Sequence, residues 1–523
     1  MWYNKATMIR KGERHMADLI LTLDAGTTGL KCSVFNENGG LVCACTSPYG
    51  VSFPAEGFAE QSAEQFYDAA VAAVRSMEGQ FDPRRVAVIG LSGTMNGCLA
   101  VDGAGRALYP NIIHADTRAV EELEEIRRVL DDRAYYGRTA NRPDVHYTLP
   151  KLLWLRRHRP EILRKTAKVL NTKDAIYGFL TGNFGYTDFS DASLTGMFLP
   201  GSRAWDLELL AELNLDPALL PEFVPSHDVR GRLIKQAAEA LGLPQGIPVS
   251  MGAGDGSCAT RGAGVAGPGE AYCSVGSSAW LATLSDTPAA DPEMRVFSFL
   301  DMDGRHSTVC GTVQCAAAAF DWAARGLFLG RDPAGDDFSA LEEAAAASPV
   351  GSRGVFFLPT LLGERTPWWD PDARGALIGM TCSHTRADAV RAVYEGIVQA
   401  LRQCGAVMEE LGLSYETLSL IGGGARSSIW PQMFADAFHR PVTVPSEPRA
   451  ATSLGAMAAA GVGVGIFSSY EAAAACVKTA GRYEPDPAAA EVYRRHFAVY
   501  RRLYGHLRTA YGEISAYQRG AGM

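Results

Sequence analysis

The sequence predicts an α/β protein of two similar domains, and three observations predict it. Apolar runs without proline alternate with helically spaced stretches, which reads as strands and helices in mixed sheets. The pattern strand, Gly-hydroxyl-hydroxyl, strand occurs at residues 19–35 and again at 271–284. At 523 residues the chain is too long for one compact core, and about two to four domains are expected. The boundary is placed near residue 262, between domains over 17–262 and 263–523.

Leu19 to Leu23 is an apolar strand, and Asp24 ends it. Ala25-Gly26-Thr27-Thr28-Gly29 turns, Leu30 to Phe35 returns, and Val42 to Thr46 is a third strand. Ser62 to Met77 sets Phe66, Ala69, Ala70, Val74 and Met77 on one side of a helix. Val86 to Leu91 is a buried strand running into Ser92-Gly93-Thr94-Met95-Asn96-Gly97, and Cys98 to Asp102 is another. Helices are expected at 118–131, 148–158 and 160–166, and one more starts at Lys173-Asp174 and stops at Gly182. Pro248 to Gly252 is a strand, Ala253-Gly254-Asp255-Gly256 follows, and 257–265 is helical.

In the second half, Ala271 to Val275 and Ala279 to Leu284 flank Gly276-Ser277-Ser278. A helix is expected at 312–328, a strand at Gly354 to Leu358, and a long helix at 384–412. Leu418 to Ile421 is a strand leading directly into Gly422-Gly423-Gly424. A helix at 427–438 with Ser427 as N-cap, a strand at Pro441 to Val444 and an Ala-rich helix at 450–460 complete the reading.

Composition excludes several function classes. Apolar residues make up 47% and charged residues 20%, with a net charge of −9 and no Lys/Arg-dense tract. That argues against a nucleic-acid or anionic-membrane surface. No apolar run reaches the ~18 residues of a membrane span. The 11 cysteines form no C-x-x-C pair and read as reduced thiols of a cytoplasmic protein. The first 16 residues are polar and basic with no apolar segment, so they are not a secretory signal; they are expected to be a disordered extension or a misplaced start.

Four pieces carry chemistry together: Asp24 with Gly26, Thr27 and Thr28; Asp255 inside a glycine turn; Gly276-Ser277-Ser278; and Gly422-Gly423-Gly424-Ala425 between a strand and a helix. Glycines bring backbone N–H groups close to a ligand, and hydroxyls add donors. A carboxylate at a strand end can hold a metal ion, and a second can orient an attacking hydroxyl and accept its proton. These parts suit phosphoryl transfer, in which donors and metal stabilise charge and the nucleophile is held in line. Singly, each piece also reads as an ordinary turn. The G-x-G-x-x-G match at Gly262 to Gly267 follows a helix rather than a strand and is rejected as a dinucleotide site. No G-x-x-x-x-G-K-[ST] occurs, so this is no P-loop kinase, and the ten histidines lack metal-ligand spacing.

The segments LDAGTTGLK, NTKDAIYGFLTG, YTDFSDASLTGMF, MGAGDG, LPTLLGERTPWWDPDARG and IGGGARSSIWPQMFADAFHRPV come in that order. In that order they resemble the FGGY family of carbohydrate kinases, and within it the xylulokinase-like members, over about residues 17–505. The resemblance implies an actin-like fold, two ribonuclease H-type domains with an ATP and sugar cleft between them. It implies a sugar- and phosphate-binding N-terminal domain and a nucleotide-binding C-terminal domain. It further implies ATP and Mg²⁺, with the γ-phosphate passing to a terminal hydroxyl of a ketose such as xylulose.

By the same resemblance Asp255 is the general base, and Asp24 and Asp255 lie at the metal. Gly26, Thr27, Thr28, Lys31, Gly276 and Ser277 bind phosphate, and Gly423, Gly424 and Ala425 border the adenine. Met95, Asn96, His114, Asp116 and Asp255 face the sugar. Two of these depart from the pattern. Xylulokinase-like members usually read Met-His-Gly where this chain has Met95-Asn96-Gly97, and place Trp where it has His114, ahead of Asp116 and Arg118.

Asparagine lacks the ring and the charge of histidine, and a missing Trp removes an apolar wall. Ribulose, a tetrulose, a hexulose or a glycerol-like polyol is therefore the alternative acceptor. A non-catalytic sugar sensor and an ATP-driven chaperone of the same fold are the alternatives from other classes. Retention of both Asp24 and Asp255, and the absence of a peptide-binding domain, weigh against them. The expected partner is a small-molecule sugar, with neither nucleic acid nor membrane, and a homodimer stays open.

Overall fold

The computed structural model describes residues 18–521. The extension expected at 1–16 lies outside the described residues. The first half opens with an antiparallel meander, β1 (Leu19–Ala25), β2 (Gly29–Asn36) and β3 (Leu41–Pro48). All seven residues of β1 are buried, Thr22 and Asp24 among them. Helix α1 (Ala63–Arg75) starts where the Ser62 hydroxyl accepts the Glu64 N–H at 3.2 Å. Strand β4 (Val86–Gly93) then lies parallel to β1. Helix α2 (Thr172–Thr181) is framed by a capping box of Asn171 and Asp174 and by the left-handed Gly182. A one-turn helix, α3 (Phe189–Ser193), follows. The short strands β5 (Gly231–Arg232), β6 (Pro248–Val249) and β7 (Ala253–Gly254) complete the sheet, and α4 (Asp255–Gly262) leaves it. The order is β5-β6-β4-β1-β2-β3, with β7 also paired to β4.

The second half repeats the plan. Strands β8 (Glu270–Val275), β9 (Ala279–Ser285), β10 (Phe297–Leu300) and β11 (Ser307–Val313) form its antiparallel part. Helices α5 (Ala317–Ala323), α6 (Asp337–Ala347) and α7 (Arg386–Glu410) cover it. Strand β12 (Thr417–Ile421) runs parallel to β8, as β4 runs to β1. Helix α8 (Trp430–Phe438), β13 (Val442–Pro445), α9 (Ala451–Val464), β14 (Thr479–Tyr483) and α10 (Pro487–Gly520) close the chain. The order β10-β11-β9-β8-β12-β13-β14 keeps the meander beside a parallel pair. The short sequence repeat at the two hairpins thus marks two sheets of like topology.

The two halves interlock through α9. It leaves the second sheet and packs Leu454, Met457 and Ala460 against Ile20, Phe35 and Val88 of the first. It also crosses α4 at backbone contact. A Cβ on Gly262 would lie 1.7 Å from the Ala451 carbonyl oxygen, and one on Gly455 2.0 Å from that of Cys258.

Several expectations at the level of elements are corrected. The helix expected at 312–328 is strand β11 up to Val313, and α5 starts only at Ala317. The run STVCGTV is rich in β-branched residues, Thr308, Val309, Thr312 and Val313, which favours a strand over the helix read from the alanines beyond it. A helix over Asp132–Thr139 and the 34-residue α10 were not anticipated. In α10 the inward stripe is Tyr493, Tyr500, Tyr504 and Tyr511, not aliphatic residues. Helix α8 begins three residues after Ser427, whose hydroxyl still accepts the Ile429 and Trp430 N–H groups at 3.3 and 3.2 Å. Among the described residues no helix is long and apolar enough to cross a membrane.

Candidate active site

The tips of the β1–β2 and β8–β9 hairpins are each closed by the N–H of their first glycine. In the first, Gly26 N–H donates to the Gly29 carbonyl at 3.0 Å and closes the turn. The tip's carbonyls are then consumed. Tyr49 OH donates to Gly26 O at 2.5 Å, Gln61 Nε2 to Thr27 O at 2.8 Å, and Tyr49 N–H to Thr28 O at 3.1 Å. In the second, Gly276 N–H donates to Ser278 O at 2.9 Å and Ala317 N–H to Gly276 O at 2.9 Å. Ala316 and Ala318 N–H donate to Ser277 O at 2.8 and 3.2 Å. Among the described residues no protein acceptor takes the N–H of Thr27, Thr28, Ser277 or Ser278. Spent carbonyls and free amides make each tip a donor site for an anion.

Strand register brings two carboxylates together. Ser92 of β4 lies opposite Asp24 of β1 on one side and Ala253 of β7 on the other. Asp24 and Asp255 therefore flank the same point of β4. Burial, and then the Asp24 charge, push Asp255 up to about 7, although its own N–H and that of Gly256 pull the other way. Asp24 is buried and accepts from the Thr452 hydroxyl of α9. Lys31 sits opposite Asp24 across β1 and β2, but its Nζ donates to the Arg449 carbonyl at 2.6 Å. Two interacting carboxylates with no cation between them fit a divalent ion. Among the described residues no group of three or more His, Cys, Asp or Glu could hold one alone. Phosphate oxygens and water would have to complete its shell.

Beside the second tip lies a cleft of about 520 Å³, within the range of small-molecule sites. Gly276, Ser277, Gly423 and Gly424 line it together with the rings of Tyr394 and Trp430. The three glycines after β12 differ in kind. Gly422 has φ +87°, and a Cβ there would meet the Val275 carbonyl at 2.6 Å. A Cβ on Gly424 would meet Val275 Cγ1 at 2.6 Å. A Cβ on Gly423 would meet nothing within 4 Å, so only that position opens onto free space.

On the opposite side of Asp255, Met95 packs under its backbone: a Cβ on Gly254 would lie 2.7 Å from Met95 Sδ. Asn96 has φ +63°, and its Oδ1 is buried without a partner. Its carbonyl accepts from Lys151 Nζ at 2.7 Å, and the same ammonium reaches His146 O at 2.7 Å. His114 is half-buried. Burial first, then Lys151, His146 and Arg365, lower it to about 4, so it is neutral at pH 7.

Family models for the FGGY family of carbohydrate kinases match residues 19–262 (its N-terminal domain) and 271–464 (its C-terminal domain). The chain belongs to the FGGY family of carbohydrate kinases. A xylulose kinase of Escherichia coli (strain K12) is 34% identical over 80% of this chain and 84% of its own. A gluconokinase of Bacillus subtilis (strain 168) is 30% identical over 97% and 99%. The structure of a ligand-bound xylulose kinase from Lactobacillus acidophilus matches with a TM-score of 0.88 at 27% identity, over 95% of this chain and 99% of that one. This FGGY kinase is thus a phosphotransferase acting on an alcohol group of a carbohydrate, with the actin-like two-domain fold and with ATP as the family's donor.

Two of the residues expected at the FGGY kinase's site are engaged by the protein itself. Asp116 is fully buried. Its carboxylate accepts the Ala59 N–H at 2.6 Å, the Arg118 N–H at 3.0 Å and the Arg118 guanidinium at 2.7 Å. Arg118 also pairs with Glu60 and lies over the Phe58 ring, so the Asp-x-Arg motif is a desolvated structural clamp. Ala425 is buried in the core of the second half, and Arg426 and Ser427 line the cleft in its place. Sequence reasoning missed Thr452, 428 residues from Asp24, and no local signal announces it. It also missed the Lys151, His146 and Arg365 surroundings of His114, which two separate segments supply.

Proposed function

We propose that this FGGY kinase passes the γ-phosphate of ATP to a terminal hydroxyl of a ketose such as xylulose, in the cytoplasm, with Mg²⁺. One observation carries the reading: two hairpin tips with unspent amides, beside a pair of carboxylates that share one strand's end. Thr27, Thr28 and Ser277 hold phosphate through backbone N–H, and the cleft by Gly423 takes the nucleoside. Asp24, held by Thr452, is the metal-side carboxylate. When bound, magnesium would neutralise charge on the transferring phosphoryl group. Asp255 orients the acceptor hydroxyl and takes its proton. A pKa near 7 suits that task better than an ordinary aspartate would, because a base is most effective near the working pH. Closure of the two halves keeps water from competing with the sugar.

The sugar side favours a second reading, another ketose or polyol. Asn96 Oδ1 is a buried acceptor without a protein partner, which leaves it free to take a donor from the substrate and to disfavour a sugar that lacks one there. A coupled ADP-release assay over ketopentoses, ketohexoses, tetruloses, polyols and gluconate ranks these acceptors. Xylulose at the top supports the first reading, and another ketose or polyol at the top supports the second. Asp255→Ala is expected to bind ATP and transfer nothing; near-normal turnover in that variant would overturn the mechanism.

A further inference from the structure

A buried charge cluster lies behind the active-site strand, and nothing in the reaction scheme uses it. Lys173 of α2 is fully buried, and its Nζ sits 2.7 Å from Asp174 Oδ1, 2.9 Å from Asp188 Oδ1 and 3.0 Å from Asp191 Oδ2. All three carboxylates are buried as well. Three desolvated acids around one ammonium are a poor source of stability, so such a cluster points to a positional role.

The hydrogen bonds show what is positioned. Asp188 Oδ2 accepts the Ser190 hydroxyl at 2.6 Å, the Ser190 N–H at 2.9 Å and the Ser226 hydroxyl at 2.7 Å. A serine hydroxyl has one proton, and Asp188 takes it. The Ser190 oxygen is thereby left as an acceptor, and the Gly254 N–H donates to it at 2.9 Å. Gly254 ends β7, a strand of only two residues, and Asp255 is the next residue. On the same one-turn helix, Ser193 Oγ accepts the Leu300 N–H of the second sheet at 2.8 Å. Helix α3 thus holds the backbone at Asp255 with one hydroxyl and the other half of the molecule with the next.

We infer that Ser190, oriented by the Lys173–Asp188 pair, is a positioning residue that fixes the backbone from which Asp255 meets the acceptor hydroxyl. The inference rests on the reading of Asp255 given above. Displacement of a reacting group by about 1 Å can cost about a hundredfold in rate without any change in binding.

The test compares Ser190→Ala, Ser190→Thr, Ser226→Ala and Asp255→Ala in the full chain, with D-xylulose or the acceptor that ranks first in the sugar panel. Ser190→Ala is expected to lower kcat by about ten- to a hundredfold, with both KM values within about twofold of wild type. Ser190→Thr keeps the acceptor oxygen and restores kcat. Ser226→Ala removes an equal bond to the same carboxylate but does not touch Gly254, so its kcat stays at the wild-type level.

Wild-type kcat in Ser190→Ala, an equal fall in Ser226→Ala, or no rescue by Ser190→Thr overturns the inference. If Ser190→Ala does not fold, Ser190→Cys replaces it, because a thiol is a weak acceptor. A slowed Ser190→Cys beside an active Ser190→Thr then supports the role, and wild-type kcat in Ser190→Cys overturns it. An active Asp255→Ala refutes the reading of Asp255 itself, whereas an inactive Asp255→Ala beside a normal Ser190→Ala refutes only the role of Ser190.

Discussion

Gly423 and Gly424 are neighbours in sequence, yet alanine at each is expected to have opposite effects. Gly423 has φ −64° and ψ −38°, a right-handed conformation that alanine adopts freely, and no atom lies within 4 Å of its would-be Cβ. Gly423→Ala should leave stability unchanged or raise it by about 0.4–1 kcal/mol, through a less flexible unfolded chain. Its methyl enters the 520 Å³ cleft. If the nucleoside lies against this backbone, the methyl displaces it, and KM for ATP rises about tenfold, equivalent to about 1.4 kcal/mol. At Gly424 the new Cβ lies 2.6 Å from Val275 Cγ1 and 3.0 Å from Trp430 Cζ3. Overpacking of this kind costs about 1–3 kcal/mol. In a domain of this size each kcal/mol lowers Tm by about 2–4 °C. The assay pairs a thermal melt with initial rates over ATP concentration at saturating sugar. A stable Gly423→Ala with wild-type KM for ATP would refute the placement of the nucleoside, and an unshifted Tm in Gly424→Ala would refute the packing argument.

Two more predictions follow from the carboxylate pair. The active form of Asp255 is the carboxylate, so kcat/KM at low magnesium should rise with pH through about 7. Asp24→Asn removes the neighbouring charge, leaves only burial to raise Asp255, and should move that acid limb to lower pH while reducing the maximal rate; an unmoved limb contradicts the pairing. The second concerns stability. Asp255 has a folded pKa near 7 and an unfolded one of about 3.9, so its ionisation costs the folded state stability progressively between those values and fully above them. Asp255→Asn should therefore raise Tm at pH 8, and the gain should fade as the pH approaches about 4; equal gains at both pH values would exclude the mechanism.

The fold was legible wherever one residue class did one job. The apolar runs at Leu19 and Val86 could only be strands, and the hairpin repeat at Gly26 and Gly276 located two equivalent sheets. Legibility failed where the inward face was carried by unusual residues. Helix α10 buries tyrosines among arginines, and β11 was hidden beside an alanine run. The role of α9 could not be read at all. An Ala-rich helix advertises burial but not its partner, and the contacts of Gly455 and Gly262 pair segments almost two hundred residues apart.

The site divides along the same line. Gly26, Gly276 and Gly423 could be singled out because glycine is itself the signal of a tight turn or a close approach, and the structure sets them at the two hairpin tips and in the wall of the cleft. At Asp116 a carboxylate near Arg is the same text whether it meets a sugar or a guanidinium. In the structure Asp116 is buried against the Arg118 guanidinium. The converse holds at Asn96. Its oxygen is buried and empty-handed on a backbone with φ +63°, an arrangement that costs free energy unless a ligand completes it. On the reading proposed above, Asn96 Oδ1 and the neutral His114 are the residues that substitution should test first for sugar specificity, ahead of Asp116, which the Arg118 guanidinium already engages.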